Sequence, residues 1–318
     1  MLDDPVLIED WYPVGKIEDL ASGGPLAVRL LGEDLVVWRS GDTVYAWQDL
    51  CVHRGTRLSL GRVFGDRLEC PYHGWTYGTD GHCVLMPAHP DQKPPAKACV
   101  RTFRAQVRYG VVWATLGAGA VDVPRFELLD DPSHHVLMAG PYPVRASGPR
   151  VVENFLDVGH FPFVHEGILG DRKRPEIEEY EAEITSEGVL ATGVKVYQPD
   201  PYATGQGSTV TYTYRVHRPL AASFIKHGEH SFGMLLAVTP HEAVQSTAWM
   251  WMAMNYQPTS EMVSFQDRIF AQDRPILESQ RPELLPLDLQ AELHLRSDRT
   301  AIAYRRWLRR LGVRTGAA

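Results

Sequence analysis

The sequence predicts an α+β fold in two domains: an all-β domain over residues 1–120, then a domain over residues 121–318 in which helices cover an antiparallel sheet. Three observations lead there. Up to about residue 118 the apolar runs are short and punctuated by Gly and Asp, as in hairpins. Beyond residue 178 the runs lengthen and alternate apolar with polar, as half-buried strands do. Near the C-terminus the apolar spacing changes from two residues to three and four, as helices require. A chain of 318 residues is about two domains long and can bury a large core.

In the first domain, residues 35–38 and 44–47 flank Ser40-Gly41-Asp42, a hairpin signal. Residues 62–64 and 67–69 flank Gly65-Asp66, and residues 76–77 and 83–85 flank Gly78-Thr79-Asp80-Gly81. Residues 111–114 close the domain, and Leu116-Gly117-Ala118-Gly119-Ala120 breaks the pattern. Residues 121–144, rich in Pro, Asp and His, read as a connector. Adjacent His134 and His135 would point to opposite sides of a strand and are not a ligand pair.

The second domain begins near Pro143, with helical character over 151–156. Strands are expected at 178–185, 188–198, 208–217, 233–239 and 246–256. Residues 261–280 read as a long helix with Met262, Phe265, Ile269 and Ile276 on one face and Pro275 kinking it. A last helix starts at Ser297 as N-cap and stops near Gly312. Arg305, Arg306, Arg309 and Arg310 near its C-terminus read as a solvated face favoured by the macrodipole, with a docking surface as the alternative. No internal repeat or low-complexity tract is present.

Two stretches carry chemistry. The first is Cys51-Val52-His53-Arg54-Gly55 with Cys70-Pro71-Tyr72-His73-Gly74-Trp75, C-x-H and C-x-x-H in two loops on either side of the 62–69 hairpin. Two thiolates can hold one iron of a [2Fe–2S] cluster while two neutral imidazoles hold the other, and the missing negative charge raises the cluster's potential. Two Cys and two His also describe structural zinc sites. Against zinc, each loop here supplies one Cys and one His, whereas finger patterns usually keep like ligands together.

The second stretch is Asn154-Phe155-Leu156-Asp157-Val158-Gly159-His160-Phe161-Pro162-Phe163-Val164-His165. Asp157 and His160 share a face if helical, and Pro162 forbids a regular turn before His165. A broken helix can aim both imidazoles at one point. Asp273 on the long helix, in preference to Asp267, supplies the third ligand of a two-histidine, one-carboxylate site with positions open for dioxygen.

Taken with the D-x-x-H-x4-H spacing, the chain resembles the oxygenase (α) component of a Rieske non-haem iron oxygenase over nearly its whole length. The stretches 160–171, Pro87-Ala88-His89-Pro90-Asp91, Ser297-Asp298-Arg299 and Ala303-Tyr304-Arg305-Arg306-Trp307-Leu308 are similar to the saxitoxin-pathway hydroxylases. The resemblance implies a Rieske [2Fe–2S] domain before a catalytic domain of helix-grip (START-like) type. It implies cluster binding by Cys51, His53, Cys70 and His73, and mononuclear Fe(II) held by His160, His165 and Asp273. Asp157 would bridge His160 to His73 of an adjacent subunit in a head-to-tail homotrimer, and Asn154 would line the pocket. Met252, Asn255 and Phe270 are further pocket candidates. It also implies O2, a small polar organic substrate, C–H monohydroxylation with oxidative O- or N-demethylation as the alternative, and a separate reductase carrying flavin and a plant-type [2Fe–2S] cluster.

Composition bounds the rest. Apolar residues are 44%, charged residues 22% and the net charge −7, which excludes a nucleic-acid footprint. The start of the chain lacks the basic and apolar regions of a signal peptide, and no apolar run is membrane-spanning. Four cysteines make no disulfide framework; Cys83 and Cys99 read as free thiols, and the expected compartment is the cytoplasm. Two other classes stay open: a Rieske electron carrier, which needs only the first domain, and a zinc-stabilised binding module.

Overall fold

The structure, a computed structural model, describes residues 3–20, 24–119, 121–201 and 204–318. Met1, Leu2 and Ala120, on which the N-terminal and boundary readings partly fall, lie outside the described residues. The chain divides into two compact units, one up to Val123 and one from Pro124.

The first unit opens with the short helix α1 (Pro5–Ile8) and holds two antiparallel sheets. Strands β1 (Tyr12–Lys16), β2 (Leu26–Leu30), β3 (Glu33–Ser40), β4 (Thr43–Gln48), β9 (Thr102–Arg108) and β10 (Val111–Thr115) form a six-stranded sheet in the order β1-β10-β9-β4-β3-β2. Strands β5 (Arg62–Phe64), β6 (Arg67–Glu69), β7 (Thr76–Tyr77) and β8 (Cys83–Leu85) form a four-stranded meander. The three expected hairpins are present, and β1, β2 and β9 are additional to the expected set. Trp38, Trp47, Leu58, Leu68, Tyr77 and Cys83 pack into one core that also contains Cys51 and Cys70. Burying each large side chain contributes about 1.5–3 kcal/mol, so the two motif cysteines are anchored in a buried core of the unit.

The second unit is built on a seven-stranded antiparallel sheet in the order β11-β17-β16-β15-β14-β13-β12. Its strands are β11 (His135–Val144), β12 (Glu181–Thr185), β13 (Gly188–Gln198), β14 (Ser208–Arg218), β15 (Ala221–His227), β16 (Phe232–Glu242) and β17 (Gln245–Met254). The supposed connector therefore contains the ten-residue edge strand β11 and a short helix α2 (Glu127–Asp130). Strand β15 lies where no strand was expected. The first expected strand starts at Glu181 rather than 178.

Helix α3 (Gly148–Leu156) begins where the Ser147 hydroxyl accepts the Arg150 amide, with Pro149 in its first turn. It packs Val151, Val152 and Leu156 inward. Helix α5 (Met262–Ser279) runs through Pro275 without ending. Its buried stripe is Gln266, Ile269, Phe270, Asp273 and Leu277, whereas Phe265 and Ile276 of the expected face are exposed. Helix α6 (Arg299–Leu311) follows a 3₁₀ turn over Arg296–Asp298, so Ser297 is not its N-cap. Gly312 ends α6 with φ +80°, the left-handed conformation that glycine adopts without strain.

Arg305 departs from the expected solvated face. It is buried, donating to both carboxylate oxygens of Glu153 on α3 and to Glu292, while Arg150 grips the same two carboxylates. Arg306, Arg309 and Arg310 are exposed as expected. No helix among the described residues is long and apolar enough to cross a membrane.

Candidate metal centre and substrate cavity

His160, His165 and Asp273 converge in the second unit. Their ligand atoms all lie within 4.8 Å of one another, and His165 and Asp273 are buried. Both Nε2 atoms face one oxygen, Asp273 Oδ1, at 3.4 Å from His160 and 3.1 Å from His165. Asp267 does not join them; its carboxylate accepts from the Tyr142 hydroxyl at 2.7 Å.

The local chain explains the convergence, though not as a broken helix with its break at Pro162. Helix α3 ends at Leu156, and Asp157 caps it in extended backbone. The Asp157 carboxylate then accepts the amides of Gly159 and His160, a turn that reverses the chain. A four-residue helix α4 (Phe161–Val164) follows, with Pro162 in its first turn, where no amide hydrogen is needed. His160 precedes it and His165 follows it. The three-residue spacing of Asp157 and His160 thus belongs to a capped turn rather than a helix face.

Each imidazole is oriented from behind. His160 Nδ1 lies 2.8 Å from Asp157 Oδ2 and His165 Nδ1 lies 2.8 Å from Gln272 Oε1. Burial opposes charge on His160, but Asp157 and Asp273 outweigh it and raise its pKa to about 9. Burial likewise favours neutral Asp157 and Asp273, yet their histidine partners hold both below the ordinary carboxylate range. Asn154 Nδ2 is 3.5 Å from Asp273 Oδ1. Two oriented imidazoles and one carboxylate, with no fourth side chain among the described residues in the group, suit an open octahedral site for Fe(II).

Beside the cluster lies a cavity of about 540 Å³. Phe155, Phe224, Tyr212, Tyr214, Met250 and Met252 give it an aromatic and thioether wall, and His160, His165 and Asp273 reach it. Asn154, Met252 and Phe270 line it as expected; Asn255 does not, being exposed beyond the end of β17 with its Oδ1 accepting the Ser231 amide. Sequence reasoning missed Gln266 and Gln272. Their signal was a polar residue inside or next to the buried stripe of α5.

In the first unit, the loops 51–55 and 70–74 are built alike. Gly55 N donates to Cys51 O and Gly74 N to Cys70 O, and both glycines have positive φ, +74° and +69°. His53 stacks on Trp75 at 4.4 Å and lies 4.6 Å from the His73 ring. His53 Nδ1 is buried with no hydrogen-bond partner, and Cys51 Sγ lies 3.1 Å from the Tyr77 hydroxyl. Burial pushes the Cys70 thiol up, while the Tyr72 and His73 amides act against it. Buried thiols beside an orphaned imidazole nitrogen are the donor set a metal cluster completes. Cys83 and Cys99 form no disulfide. His134 binds Ser231 and Asp131, outside either constellation.

These two donor sets define a class, the oxygenases that pair an iron–sulfur relay with a mononuclear non-haem iron. The Rieske [2Fe-2S] domain family matches residues 10–104, and the vanillate O-demethylase oxygenase C-terminal domain family matches residues 144–314. The methylxanthine N1-demethylase NdmA of Pseudomonas putida is 35% identical over 318 residues, 95% of this chain and 88% of that protein. The solved structure of Pseudomonas putida CBB5 NdmA with caffeine superposes with a TM-score of 0.82 at 32% identity, covering 96% of this chain and 90% of that one. The oxidoreductase NdmD of Pseudomonas putida is 43% identical over 113 residues, 35% of this chain and 19% of that protein. The chain belongs to the Rieske non-haem iron oxygenases and is an oxygenase component, with a Rieske [2Fe–2S] cluster and a mononuclear iron as its cofactors.

Proposed function

We propose that this oxygenase removes a methyl group from nitrogen on a planar heteroaromatic substrate. Kinship with methylxanthine N-demethylases over almost the whole chain carries this reading and favours demethylation over hydroxylation of a ring carbon. The aromatic and thioether walls of the cavity support it, since a flat ring gains from stacking there. The methyl C–H takes one oxygen atom of O2, two externally supplied electrons and two protons reduce the other to water, and the N–CH2OH product releases formaldehyde to leave N–H.

Residues 1–120 form the cluster domain, with Cys51 and Cys70 on one iron and His53 and His73 on the other. Residues 121–318 form the catalytic domain, with His160, His165 and Asp273 holding the mononuclear ion. The cluster, when bound, would supply one-electron transfer and the iron a place for dioxygen to be activated beside the substrate. Asn154 orients the Asp273 carboxylate at the cavity edge. Asp157 fixes His160, and its side chain keeps 36% of its surface exposed, room for a second imidazole. We assign that place to His73 of a neighbouring subunit in a homotrimer. The chain works in the cytoplasm with a separate reductase bearing flavin and a plant-type [2Fe–2S] cluster. The stretch shared with the oxidoreductase NdmD supports a redox partnership.

The test supplies purified oxygenase, a generic reductase, NADH and O2 with a panel of N-methylated heteroaromatics. Formaldehyde equimolar with demethylated product is expected. A hydroxylated product without formaldehyde would turn the reading to C–H hydroxylation, the outcome toward which the similarity of residues 160–171 to hydroxylases points.

A further inference from the structure

We propose that Gln272 is a positioning residue for the mononuclear iron: it fixes His165 in the tautomer whose Nε2 lone pair is free for the metal. The proposal rests on His160, His165 and Asp273 being the ligands.

His165 is 1% exposed, so water does not set its proton. Its Nδ1 meets Gln272 Oε1 at 2.8 Å and its Nε2 faces Asp273 Oδ1 at 3.1 Å. Gln272 and Asp273 are consecutive on α5, so one helix sets the acceptor at Nδ1 and places a candidate fellow ligand beside Nε2. A neutral imidazole carries one N–H and one lone pair. An acceptor at Nδ1 puts the proton there and leaves Nε2 bare. An amide turned the other way would present N–H to Nδ1 and force the proton onto Nε2, the atom that must bind the ion. Among the described residues, Gln272 and no backbone group meets His165 Nδ1.

The two histidines are also unequal. His160 is backed by the carboxylate of Asp157, His165 by a neutral amide. A carboxylate acceptor makes the imidazole a stronger donor than an amide does. Helix α5 thus carries one ligand, the group that orients a second, and the cavity wall of Gln266, Ile269 and Phe270.

The experiment strips the mononuclear metal from the cluster-bearing holoprotein with a mild chelator and titrates back Fe(II), then Co(II), recording affinity and the Co(II) ligand-field bands. The cluster's visible absorption reports folding. Gln272→Leu is expected to weaken Fe(II) binding about 10–100-fold. Gln272→Glu, which restores an acceptor, is expected to bind at least as tightly as wild type and to shift the Co(II) bands. Wild-type affinity in Gln272→Leu, or a Gln272→Glu spectrum identical to wild type, overturns the proposal. The second arm decides even if the leucine variant does not fold. Asp273→Ala is titrated alongside: should it also bind as wild type, the ligand assignment itself has failed, not the role of Gln272.

Discussion

Arg305→Met tests how the second unit holds its metal-bearing segment. Arg305 is 3% exposed and joins α6 to α3, donating from Nη2 to Glu153 at 2.8 Å and to Glu292 at 2.6 Å, and from Nη1 to the Pro286 carbonyl at 3.2 Å. Met keeps the hydrocarbon stem and removes the charge, leaving Arg150 alone against two carboxylates. Breaking a buried ion pair costs about 3–5 kcal/mol. Arg150 still compensates in part, so the expected cost is at the lower end, about 3 kcal/mol. At about 2–4 °C per kcal/mol for a domain of this size, the midpoint of the second unit falls by about 6–12 °C. Scanning calorimetry of the holoprotein at pH 7 and pH 4 measures it. Burial favours neutral Glu292, but Arg150 and Arg305 hold its carboxyl below the ordinary range. Its stabilisation is therefore present above the unfolded carboxyl pKa and is lost as pH falls through the lower folded value. The variant lacks that depressed carboxyl, so as pH falls below the unfolded value of about 4.5 the wild type loses stability that the variant never had, and the gap between the two proteins narrows at pH 4. A midpoint within about 2 °C of wild type at pH 7 would restore the solvated-face reading of the arginine cluster. A gap of constant size would mean lost packing rather than lost charge.

Three further outcomes are expected. Asp273→Ala loses the mononuclear iron while the red-brown cluster colour persists; metal analysis beside the visible spectrum checks it, and unchanged iron stoichiometry moves the ligand elsewhere. Asp157→Ala, supplied with saturating Fe(II), holds both metals yet loses turnover, and product formation at the wild-type rate with an intact cluster would refute its bridging role. His217 is pushed down to about 4 by burial, with Arg215 and Arg218 adding to the effect. Between pH 6.5 and 4 the unfolded chain therefore binds more protons than the fold, and stability falls as pH drops through that window, by about 3 kcal/mol at 1.36 kcal/mol per unit. His217→Gln removes this slope, as urea midpoints at pH 7.5 and pH 5 would show; parallel slopes contradict it.

The hairpins of the first unit were legible because their turns carry Gly and Asp at the positions that need them. β11 was hidden by its own composition. Pro141 and Pro143 forbid a central strand, but β11 is an edge strand, and its register shifts between Ala139 and Tyr142 where Gly140-Pro141 sits. β15 was missed because it follows β14 through Pro219-Leu220, a connection with no Gly, Asn or Asp. Arg305 was misread because pairing with Glu153, 152 residues away, leaves no trace in local spacing. The residue types in both constellations were legible from short spacings; the geometry that joins His160 to His165 was not, since an Asp-capped turn and a helix give the same three-residue interval.

The expected face of α5 failed for a reason that bears on function. Periodicity reasoning seeks apolar residues, and it chose Met262, Phe265, Ile269 and Ile276, two of which are exposed. The stripe that is buried includes Gln266 and Asp273, seven residues apart and so nearly in line along the helix. A helix selected for stability alone would place leucine at both, because burying a polar group without partners costs about 1–3 kcal/mol or more. Asp273 avoids that cost by taking His160, His165 and Asn154 as partners, and among the described residues Gln266 reaches the Met250 sulfur at 3.2 Å. Gln266, with a sulfur as its partner, lines the cavity beside the three converging groups. The departure from apolar periodicity on α5 thus marks the face that lines the cavity and meets His160 and His165.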